Sequence, residues 1–221
     1  MQHVMHFRDR RHAGQELAAR LTEWAAATEV VDPLVLALPR GGVPVAVPVA
    51  QALRAPLDVL VVRKIGVPGR PESGIGAVAG DDPPLFDQQS LTVLGLSEDR
   101  LADDVDRERA ELRRREQLYR SGRPAPAVRG RTVILVDDGL ATGVTARAAL
   151  RHLRRQEPAR LVLAVPVSDA GTANRLRAEA DDLLCLQQPV GFRAVGEWYE
   201  DFAQVPDEDV IATLDGGPAT S

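Results

Sequence analysis

The apolar run Val133-Ile134-Leu135-Val136 delivers two adjacent carboxylates, Asp137 and Asp138, into the small-residue turn Gly139-Leu140-Ala141-Thr142-Gly143-Val144-Thr145. If the run is a strand and the turn opens a helix, the backbone N–H groups of 141–145 converge at a helix N-terminus. Such an arrangement cradles phosphate. Gly143 is free to take positive φ and lets a ligand approach the chain closely. The hydroxyls of Thr142 and Thr145 add donors. Asp137 and Asp138 supply hard oxygens, able to accept from sugar hydroxyls or to hold Mg2+ through its waters. An N-capped turn would need one acid; two in a row followed by Thr-Gly-Val-Thr go beyond that.

A second turn, Pro39-Arg40-Gly41-Gly42, ends the apolar run 34–38. Arg40 and the glycine N–H groups suit an anion, although a tight glycine turn between strand and helix has the same composition. The 27 basic residues are 26 arginines and one lysine (27 − 1 = 26), and that lysine, Lys64, opens the Gly/Pro-rich stretch 64–82. This stretch reads as a mobile loop with a short strand at 76–79. Glu72 within it is a candidate proton acceptor, set against the plainer reading of an exposed loop glutamate. Gly74-Ile75-Gly76-Ala77-Val78-Ala79-Gly80 has the look of a dinucleotide fingerprint but neither follows a strand nor opens a helix. His3, His6 and His12 have no acids or cysteines at ligand spacing and read as surface residues. Cys185, the single cysteine, sits in the apolar run 183–186 and reads as a small core residue.

Periodicity supplies the elements that position these residues. Leu17, Leu21, Trp24 and Thr28 mark a helix over 12–28. Strands are expected at 34–38, 57–62, 132–136, 161–165 and 183–186, and helices at 43–55, 97–120, 143–156, 171–180 and 207–214. Pro44 suits the first turn of its helix, while Pro48 falls where a proline removes a hydrogen bond. In 97–120 acids crowd the start and arginines the end, which complements the helix dipole. The terminus 216–221 is expected to fray. Strands alternating with helices imply an α/β fold with a mostly parallel five-stranded sheet and helices on both faces. Ligands then bind beyond the C-terminal ends of the strands. The chain, 1–221, reads as one domain with its core at about 30–190. A net charge of −5 lacks the basic field that non-specific nucleic-acid binding needs. With no long apolar run, no secretory leader and one cysteine, the expectation is a soluble, cytoplasmic protein without a membrane partner.

Asp137-Asp138-Gly139-Leu140-Ala141-Thr142-Gly143 resembles the signature of the type I phosphoribosyltransferase family, which has a Rossmann-like fold. The resemblance is closest to the adenine-type enzymes, which also carry Ala before Thr-Gly. Enzymes for 6-oxopurines usually place an Asp there as general base; Ala141 leaves that role vacant, and Val144 departs from the usual Gly. The resemblance implies phosphoribosyl pyrophosphate (PRPP) bound on Ala141, Thr142, Gly143, Val144 and Thr145. Asp137 and Asp138 would be catalytic and would hold the ribose diol, and Mg2+ through water or PRPP. Leu36-Ala37-Leu38-Pro39-Arg40-Gly41-Gly42 resembles the pyrophosphate loop. Arg40, Gly41 and Gly42 would contact the diphosphate, and a non-proline cis peptide would fall at Pro39–Arg40. Arg63-Lys64-Ile65-Gly66-Val67-Pro68-Gly69 resembles the start of the flexible catalytic loop, with Lys64 aiding the leaving diphosphate. The aromatic tail 190–205 would form a small hood over the acceptor, with Phe192 stacking on it, although Phe192 and Trp198 could equally cover the sheet edge. From Phe7-Arg8-Asp9-Arg10 to Asp201-Phe202 the chain also resembles bacterial phosphoribosyltransferase-domain proteins of unassigned substrate. The implied activity is Mg2+-dependent transfer of 5-phosphoribose from PRPP to a small nitrogenous acceptor, in a protein that forms a homodimer. The alternative is a PRPP- or nucleotide-sensing regulator of the same fold. A PRPP-synthesising enzyme lacks support, since no ATP site or duplicated domain is evident.

Overall fold

The computed structural model describes residues 6–216, and within them the side chains of all residues except Pro71 and Glu72. The expectations for His3, for the Glu72 side chain and for 217–221 lie outside the described residues.

All five anticipated strands form and make one parallel sheet. They are β1 (Leu34–Ala37), β2 (Leu57–Val59), β6 (Thr132–Val136), β7 (Arg160–Val167) and β8 (Asp182–Gln187), in the spatial order β2-β1-β6-β7-β8. The intervening β3 (Val62–Val67), β4 (Arg70–Ala79) and β5 (Leu85–Phe86) form a separate antiparallel sheet. The helices are α1 (Arg10–Ala26), α2 (Gly42–Leu53), α3 (Gln88–Leu94), α4 (Ala102–Arg120), α5 (Val144–Arg154), α6 (Ala170–Leu176) and α7 (Asp207–Leu214).

The sheet is buried on both faces, and alternate residues serve different cores. Val35, Ala37, Ile134, Val136, Val162 and Ala164 pack with residues of α1, α2, α4 and α7. Leu34, Leu36, Val133, Leu135, Leu161 and Leu163 pack with residues of α5 and α6. Burial on both sides explains why each strand reads as a continuous apolar run rather than an alternating one. The chain leaves β1 toward β2 on one side and returns to β6 on the other, so the order reverses between β1 and β6. Crevices at such switch points, beyond the carboxyl ends of the strands, are where open α/β sheets bind ligands. The turn 39–42 leaves β1 here and the acids leave β6, paired through Ala37 and Val136.

Three local expectations need correction. The run 57–62 is not one strand: β2 stops at Val59, and Val62 already begins the second sheet. The segment 97–120 begins as a 3-10 turn at Glu98–Leu101 before α4, and α3 precedes it. The stretch 64–82 is not an irregular loop but mostly a two-stranded ribbon, β3 against β4, with register shifts at Gly66. Its glycines have a steric reason: a Cβ at Gly76 would stand 2.6 Å from a Phe86 ring carbon. The base of the ribbon is tied down. Arg109 donates to the carbonyls of Gly80 and Asp82, each at 2.8 Å, and Arg63 pairs with Glu108 at 2.9 Å. Pro48 does lie inside α2, and the helix continues through it to Leu53.

Candidate active site

The acid pair sits at the switch point, directly below the turn from β1. Asp137 Oδ1 accepts from the Asp138 backbone N–H at 2.9 Å. A Cβ at Gly41 would fall 2.0 Å from Asp138 Oδ2, and one at Gly42 would fall 2.8 Å from the Val136 carbonyl. Only glycines let the two turns approach this closely. The peptide Pro39–Arg40 is cis. The Gly42 N–H, expected to face an anion, already donates to the Leu38 carbonyl at 3.0 Å, so closing the turn consumes that donor. Gly42 thus serves by its lack of a side chain.

Both acids are held as unwilling anions. Removal from water raises the Asp137 carboxyl well above the usual range, and the neighbouring Asp138 charge raises it further. Asp138 is also raised by removal from water, against which Arg10 works to keep it charged. Arg10 Nε donates to Asp138 Oδ2 at 2.8 Å. Two half-buried carboxylates side by side at a crevice form an arrangement suited to charge stabilisation or a hydrated cation.

The turn after the acids has the geometry its composition suggests. Gly143 takes φ +74 and ψ 6, and a Cβ there would meet Thr172 Cγ2 at 2.6 Å. It stands at the N-cap of α5 and provides no side-chain cap. The first N–H groups of α5 are therefore left for another partner. Ala141 and Thr142 are exposed and Thr145 is half-buried. The loop is braced from behind: Thr172 Oγ1 donates to the Ala141 carbonyl at 2.7 Å, and the Leu140 N–H donates to the Val167 carbonyl at 2.9 Å.

The other expected residues fall around this centre. Arg40 is partly exposed and its Nη1 lies 3.7 Å from Asp207 Oδ1. Asp207 in turn accepts from the hydroxyl of buried Tyr119 at 2.5 Å. Lys64 is exposed on β3. Its stem crosses Gly74, where a Cβ would lie 2.6 Å from Lys64 Cδ and 3.6 Å from Val144 Cγ1. The lysine thus lies on the ribbon face next to the start of α5.

The two ends of the chain meet over the acids. The Phe7 N–H donates to the Trp198 carbonyl at 2.9 Å, and the Glu200 N–H to the Phe7 carbonyl at 2.8 Å. Tyr199 donates its hydroxyl to the Asp138 carbonyl at 2.6 Å, and Val195 covers Gly139. Phe192 is half-buried and packs with Leu186, Val195 and Trp198 against the Phe7–Tyr199 cluster. His6 is exposed and stacks on Trp198. His12 is not a plain surface residue: its Nδ1 accepts from the Arg8 N–H at 3.2 Å, and its ring meets Phe7 edge-on. Cys185 is half-buried, and removal from water pushes its thiol up to about 11, so it stays protonated. Sequence reasoning missed Arg10 as a site residue. The only signal lay in the run Phe7-Arg8-Asp9-Arg10 as a whole, because Arg10 and Asp138 are 128 positions apart.

Among the described residues, no group of three or more His, Cys, Asp or Glu could hold a metal. Two carboxylates fit Mg2+, which keeps several waters and completes its shell with a substrate's phosphates. Among the same residues no helix is long and apolar enough to cross a membrane.

Comparison with known proteins agrees with this geometry. The family model for the phosphoribosyl transferase domain matches residues 9–201. Over 211 residues the chain is 44% identical to the Mycobacterium tuberculosis H37Rv protein named "Putative phosphoribosyl transferase Rv0571c", covering 95% of this chain and 46% of that protein. The chain therefore spans about half the length of the curated relatives it matches. The crystal structure of TT1426 from Thermus thermophilus superposes with a TM-score of 0.77 at 44% identity, covering 95% of this chain and 98% of that one. The structure of AQ2163 from Aquifex aeolicus, 10% identical with a TM-score of 0.51 over 80% of this chain and 73% of that one, shares the fold alone. With the family model matched over residues 9–201, the chain belongs to the phosphoribosyl transferase domain family.

Proposed function

We propose that the protein transfers 5-phosphoribose from PRPP to a nitrogen of a nucleobase-like acceptor and releases pyrophosphate, in a Mg2+-dependent reaction. The observation that carries this reading is the convergence, at one switch point, of a half-buried acid pair and a helix N-terminus without a side-chain cap. The 5-phosphate sits on the N–H groups of Ala141, Thr142, Gly143, Val144 and Thr145, with the threonine hydroxyls as further donors. Asp137 and Asp138 accept from the ribose diol and face the positive charge that develops at the sugar as its bond to the diphosphate breaks. Arg40 and the Gly41 N–H receive the leaving diphosphate, with Lys64 approaching from the ribbon. Positioning and fixed charge supply most of the acceleration. When bound, Mg2+ neutralises charge on the diphosphate, and Asp137 and Asp138 are the residues that would hold it through water or through PRPP. The segment 64–82 excludes water from the reacting sugar by folding its tip over the site. The half-buried place of Phe192 favours a supporting role under the hood.

The test is mass spectrometry of products after incubation with PRPP, Mg2+ and a panel of nucleobases, with the Asp137→Asn/Asp138→Asn variant as control. A nucleoside monophosphate absent from the control is the expected result and would identify the acceptor. PRPP binding without any product would favour the sensing regulator. Absence of PRPP binding would overturn both readings.

A further inference from the structure

Arg10 is held by three contacts. It is the first residue of α1, which is N-capped by Asp9. Its guanidinium carbon lies 3.8 Å from the centre of the Phe202 ring. Nη1 donates to the Ala203 carbonyl at 2.7 Å, and Nε donates to Asp138 Oδ2 at 2.8 Å. Nε is also 3.2 Å from the point where a Cβ of Gly41 would stand. The side chain is only 11% exposed. Arg10 therefore occupies the seam between the turn that follows β1 and the acids that follow β6. A guanidinium carries five N–H donors, and the hydrogen bonds among the described residues use two of them. The ring beneath and the carbonyl beside it fix the plane, so little side-chain freedom is left to lose on binding an anion. Arg40 precedes the same glycine in the chain, and its Nη1 lies 3.7 Å from Asp207 of the same C-terminal segment.

We propose that Arg10 is a second diphosphate-binding arginine, presented by the N-terminal helix and clamped by Phe202 and Ala203, so that two guanidiniums bracket the Gly41 turn. This rests on the proposed function, since it places the diphosphate of PRPP at that turn. Asp138 keeps its bond to Nε, and the unused donors of Arg10 face the anion. A planar fork matches phosphate oxygens better than an ammonium does. The segment from Phe202 to Asp207 then acts as a collar that aims both arginines, and the hood and the diphosphate site become one mechanical unit.

The test is calorimetric titration of the full chain with Mg2+-pyrophosphate, PRPP and ribose 5-phosphate, comparing wild type with Arg10→Gln. Ribose 5-phosphate carries the diol and the 5-phosphate but no diphosphate. The expected result is a pyrophosphate affinity weaker by about 30-fold, the scale of one lost charge-assisted hydrogen bond, with ribose 5-phosphate affinity unchanged to within about threefold. Arg10→Lys should recover part of the loss. Phe202→Leu, which leaves the charge in place, should weaken pyrophosphate alone by a smaller factor, and it decides the matter if Arg10→Gln does not fold. Equal losses for both ligands would reduce Arg10 to a support for Asp138, and unchanged pyrophosphate binding would remove it from the site; either overturns the proposal. A wild-type protein that binds neither PRPP nor pyrophosphate would instead sink the proposed function, and this inference with it.

Discussion

Replacing Gly143 by alanine tests whether the phosphate turn is built as described. The residue sits at φ +74, where an L-residue with a Cβ is strained by roughly 1–2 kcal/mol. The added methyl would stand 2.6 Å from Thr172 Cγ2 and 3.0 Å from Leu176 Cδ1. Both neighbours are buried and belong to α6, so neither has open space to retreat into. Overpacking of this kind costs about 1–3 kcal/mol. Thr172 also holds the Ala141 carbonyl, and moving it strains that bond. The sum is about 2–5 kcal/mol. For a chain of this size each kcal/mol shifts Tm by about 2–4 °C, so a fall of roughly 4–20 °C is expected. Thermal unfolding followed by circular dichroism measures it, and calorimetry with PRPP should show affinity reduced more than about tenfold, since the N–H groups of the turn no longer converge. A variant that melts within about 2 °C of wild type would refute the strain argument. Gly41→Ala is the complementary control. Gly41 has φ −60, which alanine accepts, so its cost comes from the Asp138 carboxylate and the Arg10 Nε beside it, and it should affect binding more than stability.

Three other outcomes follow from the same geometry. Folding raises the Asp137 carboxyl, so the folded state holds that proton more tightly; the stabilisation is complete below the unfolded value near roughly 4 and is lost as pH rises through the folded value. Asp137→Asn in chelator should therefore melt higher than wild type at pH 7–8, with the gap closing as the pH is lowered toward about 4; equal melting at both ends would contradict the buried charge. Glu111 behaves in the opposite sense: hydrogen bonds from Arg114 and then Arg115 hold it down to about 2, so its contribution is present above its ordinary value and lost as pH falls toward 2. Glu111→Gln should flatten acid unfolding in that window, as read by fluorescence titration. Tyr199→Phe removes the donor to the Asp138 carbonyl and should cost about 1–2 kcal/mol in chemical denaturation; a change below a few tenths would mean that water replaces the hydroxyl.

Much of the molecule is written locally. Each strand of the parallel sheet is an apolar run because both its faces are buried, and a run of that kind is visible without knowing its neighbours. The acids and the phosphate turn are contiguous from Asp137 to Thr145, and the positive φ of Gly143 is what a glycine before a helix permits. Local patterning failed where pairing is not local. The ribbon of β3 and β4 carries glycines at 74 and 76 because Lys64 and Phe86 lie against them, and in sequence these read only as loop composition. The Gly42 donor was assigned to a ligand because composition cannot say that the turn closes on Leu38. Arg10 on Asp138, Tyr199 on the Asp138 carbonyl and Asp207 beside Arg40 join residues far apart along the chain. None has a periodicity or spacing to announce it. Sequence by itself determined that two acids and a small-residue turn share one short run, because residue types in a contiguous segment are local. Only the tertiary structure decided which groups surround them, because Arg10 and Tyr199 reach Asp138 from 128 and 61 positions away along the chain.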